Sequence, residues 1–137
     1  MGNTKSIGIA YSDQDIYDSD SVYVKGALGY STAGQGSVTQ ATNKGTAVTL
    51  NKSAGQITLN NAALATVTTV TFTLNNSLIS ANDTVILTQV SGAATPGSYN
   101  VWVTSIAAGS AVIAVRNITA GSLSEALKIN FALIHCE

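Results

Sequence analysis

Eight short segments in which apolar and polar residues alternate, separated by clusters of Gly, Asn and Ser, constrain the fold of this chain more than any other feature. The clearest covers residues 70–74, where Val, Phe and Leu share one face and two threonines share the other. Alternation with a period of two is typical of a strand that has one face against a core. We predict strands at residues 37–40, 46–50, 56–60, 67–75, 84–90, 98–106, 111–118 and 127–134.

The end of the chain, residues 116–134, has a plain strand–turn–strand pattern. A strand ends at residue 118, a turn follows at residues 119–122, and the last strand has an apolar face made of Leu127, Ile129, Phe131 and Leu133. Arg116 and Glu125 flank the turn, and we expect them to form a surface ion pair across it. We interpret this stretch as a piece of the scaffold of a β-sandwich.

The distance between the predicted strands also limits the fold class. Strands that recur roughly every 8 to 12 residues with turn signals between them are typical of a sandwich, a jelly roll or a small barrel. The single proline, Pro96, lies in such a turn signal at residues 92–97. A chain of 137 residues is expected to form one domain, which buries roughly two-thirds of its unfolded surface.

Charged residues are scarce and unevenly placed. They make up 9% of the chain, against about 25% in a typical protein, and none occurs between Thr84 and Val115. A surface covered by Thr, Ser, Asn and Ala instead of Lys and Glu favours association. We therefore expect a homo-oligomer, either a dimer or a trimer, that functions by packing against other subunits.

Residues 1–30 differ from the rest of the chain. They hold four of the seven acidic residues and four of the five tyrosines, and no helical period links their apolar residues. We predict an extended N-terminal arm at residues 1–30, with one short strand at residues 21–25, followed by a sandwich domain at residues 31–137. Thirty extended residues would reach on the order of 100 Å, so the arm could lie across a neighbouring subunit.

The arm carries the predicted partner-binding residues. Tyrosine is large and amphipathic and is favoured as an interface anchor, so tyrosines at intervals along an extended segment suit successive pockets on a partner. The alternative is that they pack back onto their own sandwich. The predicted partner-binding residues are Tyr11, Ile16, Tyr17, Tyr23 and Tyr30.

No group of residues predicts catalysis, a cofactor or a metal site. The one histidine, His135, lies beside Cys136 at the chain end, where adjacent strand residues point to opposite faces, and we expect a frayed terminus there. The acidic run at residues 13–20 lacks the glycine and the bidentate glutamate of an EF-hand loop, which favours a solvated segment. Trp102 is either a core residue or an exposed residue that stacks on a sugar or lies at an interface. We predict that the protein is not an enzyme.

Two classes of partner are disfavoured by composition. A net charge of −1 and the lack of a basic cluster give nucleic acid little to bind. No apolar run approaches the roughly 20 residues of a membrane span, and the first residues do not resemble a signal peptide. We expect neither nucleic acid nor membrane as a partner, and synthesis in the cytoplasm.

Several segments, at residues 29–42, 48–52, 55–58, 72–76 and 116–131, resemble a family of small virion structural proteins of tailed bacteriophages. Members with this pattern resemble capsid cement, or decoration, proteins, which are jelly-roll subunits outside the capsid shell that brace neighbouring capsomers. The resemblance implies a jelly-roll type of sandwich, the major capsid protein as partner, and a location on the virion surface. Similar segments occur in tail-fibre and receptor-binding proteins, so recognition of host carbohydrate is the alternative.

Overall fold

The computed structural model describes residues 20–136 of the chain. Across this range a single short 3-10 helix, Thr32–Gly34, precedes eight strands. The strands are β1 (Gln35–Thr39), β2 (Val48–Thr49), β3 (Ala54–Thr58), β4 (Thr69–Asn75), β5 (Thr84–Ser91), β6 (Tyr99–Ala107), β7 (Ser110–Asn117) and β8 (Lys128–Ile134). Each strand overlaps one predicted segment, so the prediction of an all-β sandwich with about eight strands is confirmed. No helix in the described residues is long and apolar enough to span a bilayer.

The strands form two sheets of four. The first sheet has the order β1–β3–β8–β5 and the second sheet has the order β2–β4–β7–β6. From β1 to β6 successive strands alternate between the two sheets. β1 pairs with β3 in a parallel direction, and β2 pairs with β4 in the same way. The other four pairs are antiparallel. A jelly roll is an antiparallel architecture, and its topology is therefore not confirmed here.

The core lies between the two sheets and is made by the inward faces of the alternating strands. Ile57, Ile113 and Ile129 have no exposed surface, and each sits at an inward position of a strand that has a neighbour on both sides. Burial of one such side chain stabilises the fold by about 1.5–3 kcal/mol. The period-two pattern of the sequence is thus the direct cause of the two-layer arrangement.

Two buried polar side chains hold the loops at the ends of the strands. Lys44 Nζ donates hydrogen bonds to the carbonyl oxygens of Asn60 (2.6 Å), Ala62 (2.9 Å) and Glu125 (2.7 Å). Burial lowers the pKa of Lys44, and the nearby Glu125 partly opposes this effect. Asn117, at the end of β7, is the second of these side chains and has no exposed surface.

The predicted ion pair between Arg116 and Glu125 is not formed. Glu125 Oε1 instead accepts a hydrogen bond from the backbone N–H of Ala94 at 2.6 Å, and Arg116 is exposed on the outer face of β7. Within residues 20–136 the one contact at ion-pair distance joins His135 and Asp83. A backbone donor near the carboxylate thus replaces the arginine that the sequence suggested.

Residues 20–31 contain no strand, so the prediction of a short strand at residues 21–25 is wrong. The alternating residues Val22, Tyr23 and Val24 are exposed and pair with neither sheet of the sandwich. Alternation can form a strand only where another strand accepts its backbone hydrogen bonds. The proposed boundary between arm and sandwich near residue 30 stays a prediction.

Candidate interaction surfaces

The predicted partner-binding residues of the arm fall into three groups. Tyr11, Ile16 and Tyr17 lie outside the described residues. Tyr23 is 93% exposed. Tyr30 packs against its own sandwich, where its hydroxyl donates a hydrogen bond to the carbonyl oxygen of Leu133 on β8. Tyr30 therefore follows the alternative of packing back, and partner binding by any of these residues stays a prediction.

The segment after Tyr30 is fixed at the end of the first sheet. Gln35 Nε2 donates to the carbonyl oxygen of Tyr30 at 2.8 Å, and Lys52 Nζ donates to the carbonyl oxygen of Ala33 at 2.8 Å. The ring of Tyr30 lies close to Gly34, where a Cβ would be in contact with it. These contacts fix the point at which the arm leaves the sandwich.

An apolar groove of about 490 Å³ lies between the end of the arm and the outer face of the first sheet. Leu28 and Tyr30 form one side, and Ile86 on β5 and Ile134 on β8 form the floor. Leu28 is 87% exposed and Ile86 is 47% exposed. These residues are far apart in sequence. The pairing of β5 with β8 brings Ile86 and Ile134 together, and the hydrogen bond from Tyr30 to Leu133 places the end of the arm beside them. Sequence reasoning missed the groove for that reason.

At one end of the groove the chain terminus is tied to the sandwich. His135 Nδ1 lies 2.8 Å from Asp83 Oδ2, and the backbone N–H of Cys136 donates to Asp83 Oδ1 at 3.3 Å. The prediction of a frayed terminus at these residues is therefore wrong. Asp83 precedes β5 and His135 follows β8, so the antiparallel pairing of these two strands places the side chains together.

The environment of Asp83 favours its ionised form. The hydrogen bond from the backbone N–H of Ser80, at 2.8 Å, is the main cause that lowers the pKa of Asp83. Burial opposes this shift, whereas Cys136 N–H and His135 add to it. Asp83 and His135 thus form a latch, that is, a contact that joins the start of β5 to the end of β8. In residues 20–136 no group of three or more His, Cys, Asp or Glu could hold a metal ion.

A second surface lies on the outer face of the second sheet, around Trp102 on β6. Trp102 is 39% exposed, so it is not a core residue, and Tyr99 three residues earlier is buried instead. In the sheet register Trp102 lies beside Ala114, and Ala114 lies beside Thr71. Arg116 is two residues after Ala114 on the same face of β7 and is exposed. An indole edge among hydroxyl and guanidinium groups suits a polar, ring-shaped ligand.

The interior beside this sheet contains an acid and a phenol without complete hydrogen bonding. The hydroxyl of Tyr99 and Oε2 of Glu125 are both buried and have no hydrogen-bond partner. Burial raises the pKa of Tyr99 far above its ordinary value, and Glu125 raises it further. Tyr99 is buried, and the other carboxylate oxygen of half-buried Glu125 is held by the backbone N–H of Ala94, so we interpret both side chains as structural.

Comparison with known proteins adds no family: no family model, no curated protein and no solved structure matches this chain.

Proposed function

We propose that this protein is a structural virion protein without enzymatic activity, of the capsid cement or decoration class. It binds the outside of a bacteriophage capsid shell and stabilises the contacts between capsomers. The observation that supports this proposal best is a surface that is poor in charge and rich in exposed apolar side chains. The resemblance of residues 29–134 to small virion proteins agrees with it.

The exposed apolar residues lie on the arm, on the loops and on both sheets. Surfaces of this kind mark sites of contact with other proteins, because isolated soluble proteins expose few large apolar patches. In the described residues they are Val22, Tyr23, Val24, Leu28, Tyr30, Val67, Leu78, Ile86, Val90, Trp102, Ile118 and Ile134. The major capsid protein is the proposed partner.

Weak contacts of this kind stabilise a shell when many act together. A subunit that touches two capsomers at separate points gains avidity, since its second contact is made at high effective concentration. The sandwich supplies a rigid body for one contact and the arm supplies a second. No single strong site is required.

Purified virions of the phage that encodes this chain test the proposal. We expect the protein in the particle at a copy number close to that of the major capsid protein, and we expect particles that lack it to lose their DNA at a lower temperature. Quantitative mass spectrometry gives the first result and a dye-release thermal scan gives the second. Its absence from particles, or its presence in only a few copies, would reject the cement function.

The exposure of Trp102 supports one alternative, a tail-fibre or receptor-binding module that recognises host carbohydrate. Its face of the second sheet also carries Thr71 and Arg116, which could donate hydrogen bonds to sugar hydroxyls. A glycan-array signal that Trp102→Ala abolishes and Leu78→Ala preserves would favour this function. Leu78 is a suitable control because it is also exposed and apolar but lies in the loop after β4.

A further inference from the structure

The outer edge of β5 carries main-chain groups with no partner. Leu133 N–H donates to the carbonyl oxygen of Ser53 at 2.8 Å, so the main-chain groups of Leu133 point toward β3. Those of Ala132 point the other way, toward Ile86 on β5. It follows that Val85 and Leu87 direct their N–H and C=O groups away from the sheet. β5 is the last strand of the first sheet, and these groups form no hydrogen bond within residues 20–136.

Up to the bulge near its end, the β5 edge has no protecting charged residue or proline of its own. Natural sheets block an exposed edge with Lys, Pro or inward charges. β5 and β6, the edge strands on the same side of the sandwich, contain neither a charged residue nor a proline. A charge of either sign would repel the same charge on a second copy, so neutrality along the whole edge specifically permits pairing with itself.

The regular stretch of the edge is short and fixes the register. A bulge between Gln89 and Ser91 interrupts the pairing of β5 with β8, and a bulge bends a strand and ends regular pairing. Within residues 84–89, an antiparallel pair centred on Ile86 places Ile86 against Ile86 of the second copy, with Thr84 opposite Thr88 on both sides. Val85 and Leu87 then exchange main-chain hydrogen bonds with Leu87 and Val85 of that copy.

We propose that two copies of this chain form a dimer through antiparallel pairing of β5, with Ile86 at the two-fold axis. The first sheets of the two copies become one sheet of eight strands. Ile86 is 47% exposed in the single chain and loses this exposure in the pair. The apolar grooves formed by Leu28 and Ile134 lie next to Ile86 in each copy and extend the contact on both sides of the axis.

This dimer rests on the proposed function only in that a cement subunit is expected to associate with its own copies. It is measured on the isolated full-length chain without capsids. If the isolated chain were monomeric, the dimer would be rejected and capsid binding would still be decided by the virion experiment. If the protein were absent from virions, the cement function would be rejected and the dimer would still be decided by sedimentation.

The mass of the native chain in solution, measured by sedimentation equilibrium, is expected to be that of a dimer. Ile86→Lys places two ammonium groups opposite each other at the axis and is expected to raise the dissociation constant by at least about tenfold. Thr69→Lys, an exposed residue on the outer face of the second sheet, is the matched control and should keep the dimer. Equal thermal stability of the two variants at low concentration excludes unfolding as the cause.

Cysteine cross-linking tests the register. In a Cys136→Ser background, Ile86→Cys is expected to give a disulfide-linked dimer on mild oxidation, because directly opposite residues of a non-hydrogen-bonded pair lie about 4.5 Å apart at Cα. Thr88→Cys should not. The proposal is overturned if the native chain is monomeric. That result would be expected if residues 1–19 of the same chain covered the β5 edge. A trimer, a dimer unaffected by Ile86→Lys, or cross-linking at residue 88 instead of residue 86 overturns it as well.

Discussion

Single buried polar side chains hold the loops of this sandwich, and Asn117 is the neutral example. Its Nδ2 donates to the carbonyl oxygens of Leu64 (3.0 Å) and Gly121 (2.7 Å), and its Oδ1 accepts from the backbone N–H of Thr119 (2.9 Å). The amide thus joins the loop before β4 to the loop after β7. A neutral amide satisfies several buried backbone groups in this way, as the ammonium group of Lys44 does at another loop.

We predict that Asn117→Ala lowers the free energy of unfolding by about 3 kcal/mol, because several buried backbone groups lose their partners at about 1–3 kcal/mol each. Urea denaturation monitored by the fluorescence of Trp102 measures the change. Asn100→Ala, at an exposed position of β6, is the control and should change the free energy by less than about 0.5 kcal/mol. Equal effects of the two substitutions would contradict the role assigned to Asn117.

The latch at Asp83 predicts a dependence of stability on pH. The pKa of Asp83 in the folded chain is lowered from the ordinary value of 3.8, so the unfolded chain takes up this proton first as the pH falls. The stability that ionised Asp83 contributes is therefore complete above pH 3.8 and is lost as the pH falls through the lower folded-state pKa.

We predict that Asp83→Asn is less stable than the native chain at neutral pH and that the difference shrinks below pH 3.8. Urea denaturation of both proteins across this range measures the difference. Asp20→Asn, at an exposed position in the arm, is the control and should follow the native chain throughout. A difference between native and Asp83→Asn proteins that does not change with pH would show that the carboxylate charge is not responsible.

Among the elements, β5 is followed by a position that only glycine fits without strain. Gly92, directly after it, has a φ of +94°, and a Cβ at this position would collide with the carbonyl oxygen of Ala126. Gly97 has a φ of +81° but open space around it. Gly26 has open space and no positive φ. These three glycines separate the cost of steric overlap from the cost of backbone strain.

We predict that Gly92→Ala destabilises the fold by about 3 kcal/mol or more, Gly97→Ala by about 1 kcal/mol, and Gly26→Ala by less than about 0.5 kcal/mol. The order follows because only Gly92 combines a left-handed φ with overlap against backbone. Thermal unfolding of the three variants gives the ranking. A Gly92→Ala protein as stable as Gly97→Ala would mean that the β5 end can shift away from Ala126 at little cost.

At the scale of elements, local pattern predicted existence but not pairing. All eight strands were predicted because alternation is a property of contiguous residues. The position of Trp102 was left open between core and surface, and the structure shows it exposed. The parallel pairs β1–β3 and β2–β4 arise because the connecting loops cross from one sheet to the other. The contact between Asp83 and His135 joins residues 52 positions apart. A period of two within a short segment predicts neither of these features. Residues 21–25 show the converse, because their alternation has no strand to pair with.

For the whole molecule, the sandwich and the arm are expected to separate in function. Residues 20–25 are exposed throughout, whereas Tyr30 and the groove residues contact the first sheet. A chain without residues 2–25 therefore keeps every core contact of the sandwich described above.

We predict that deletion of residues 2–25 leaves the unfolding temperature of the sandwich within about 2 °C of the native value and lowers occupancy on capsids. The small thermal effect is expected because residues 20–25 are exposed, and changes at exposed positions usually alter stability by less than about 0.5 kcal/mol. Occupancy is measured by quantitative gel analysis of capsids that have been mixed with the protein and sedimented. Tyr23→Ser in the full-length chain removes one exposed anchor and should produce a smaller loss of the same kind.

Because the deletion retains Ile86 and the β5 edge, the truncated chain should still form the proposed dimer. Unchanged occupancy together with unchanged heat resistance of the capsids would remove the arm from the mechanism and leave binding to the faces of the sandwich.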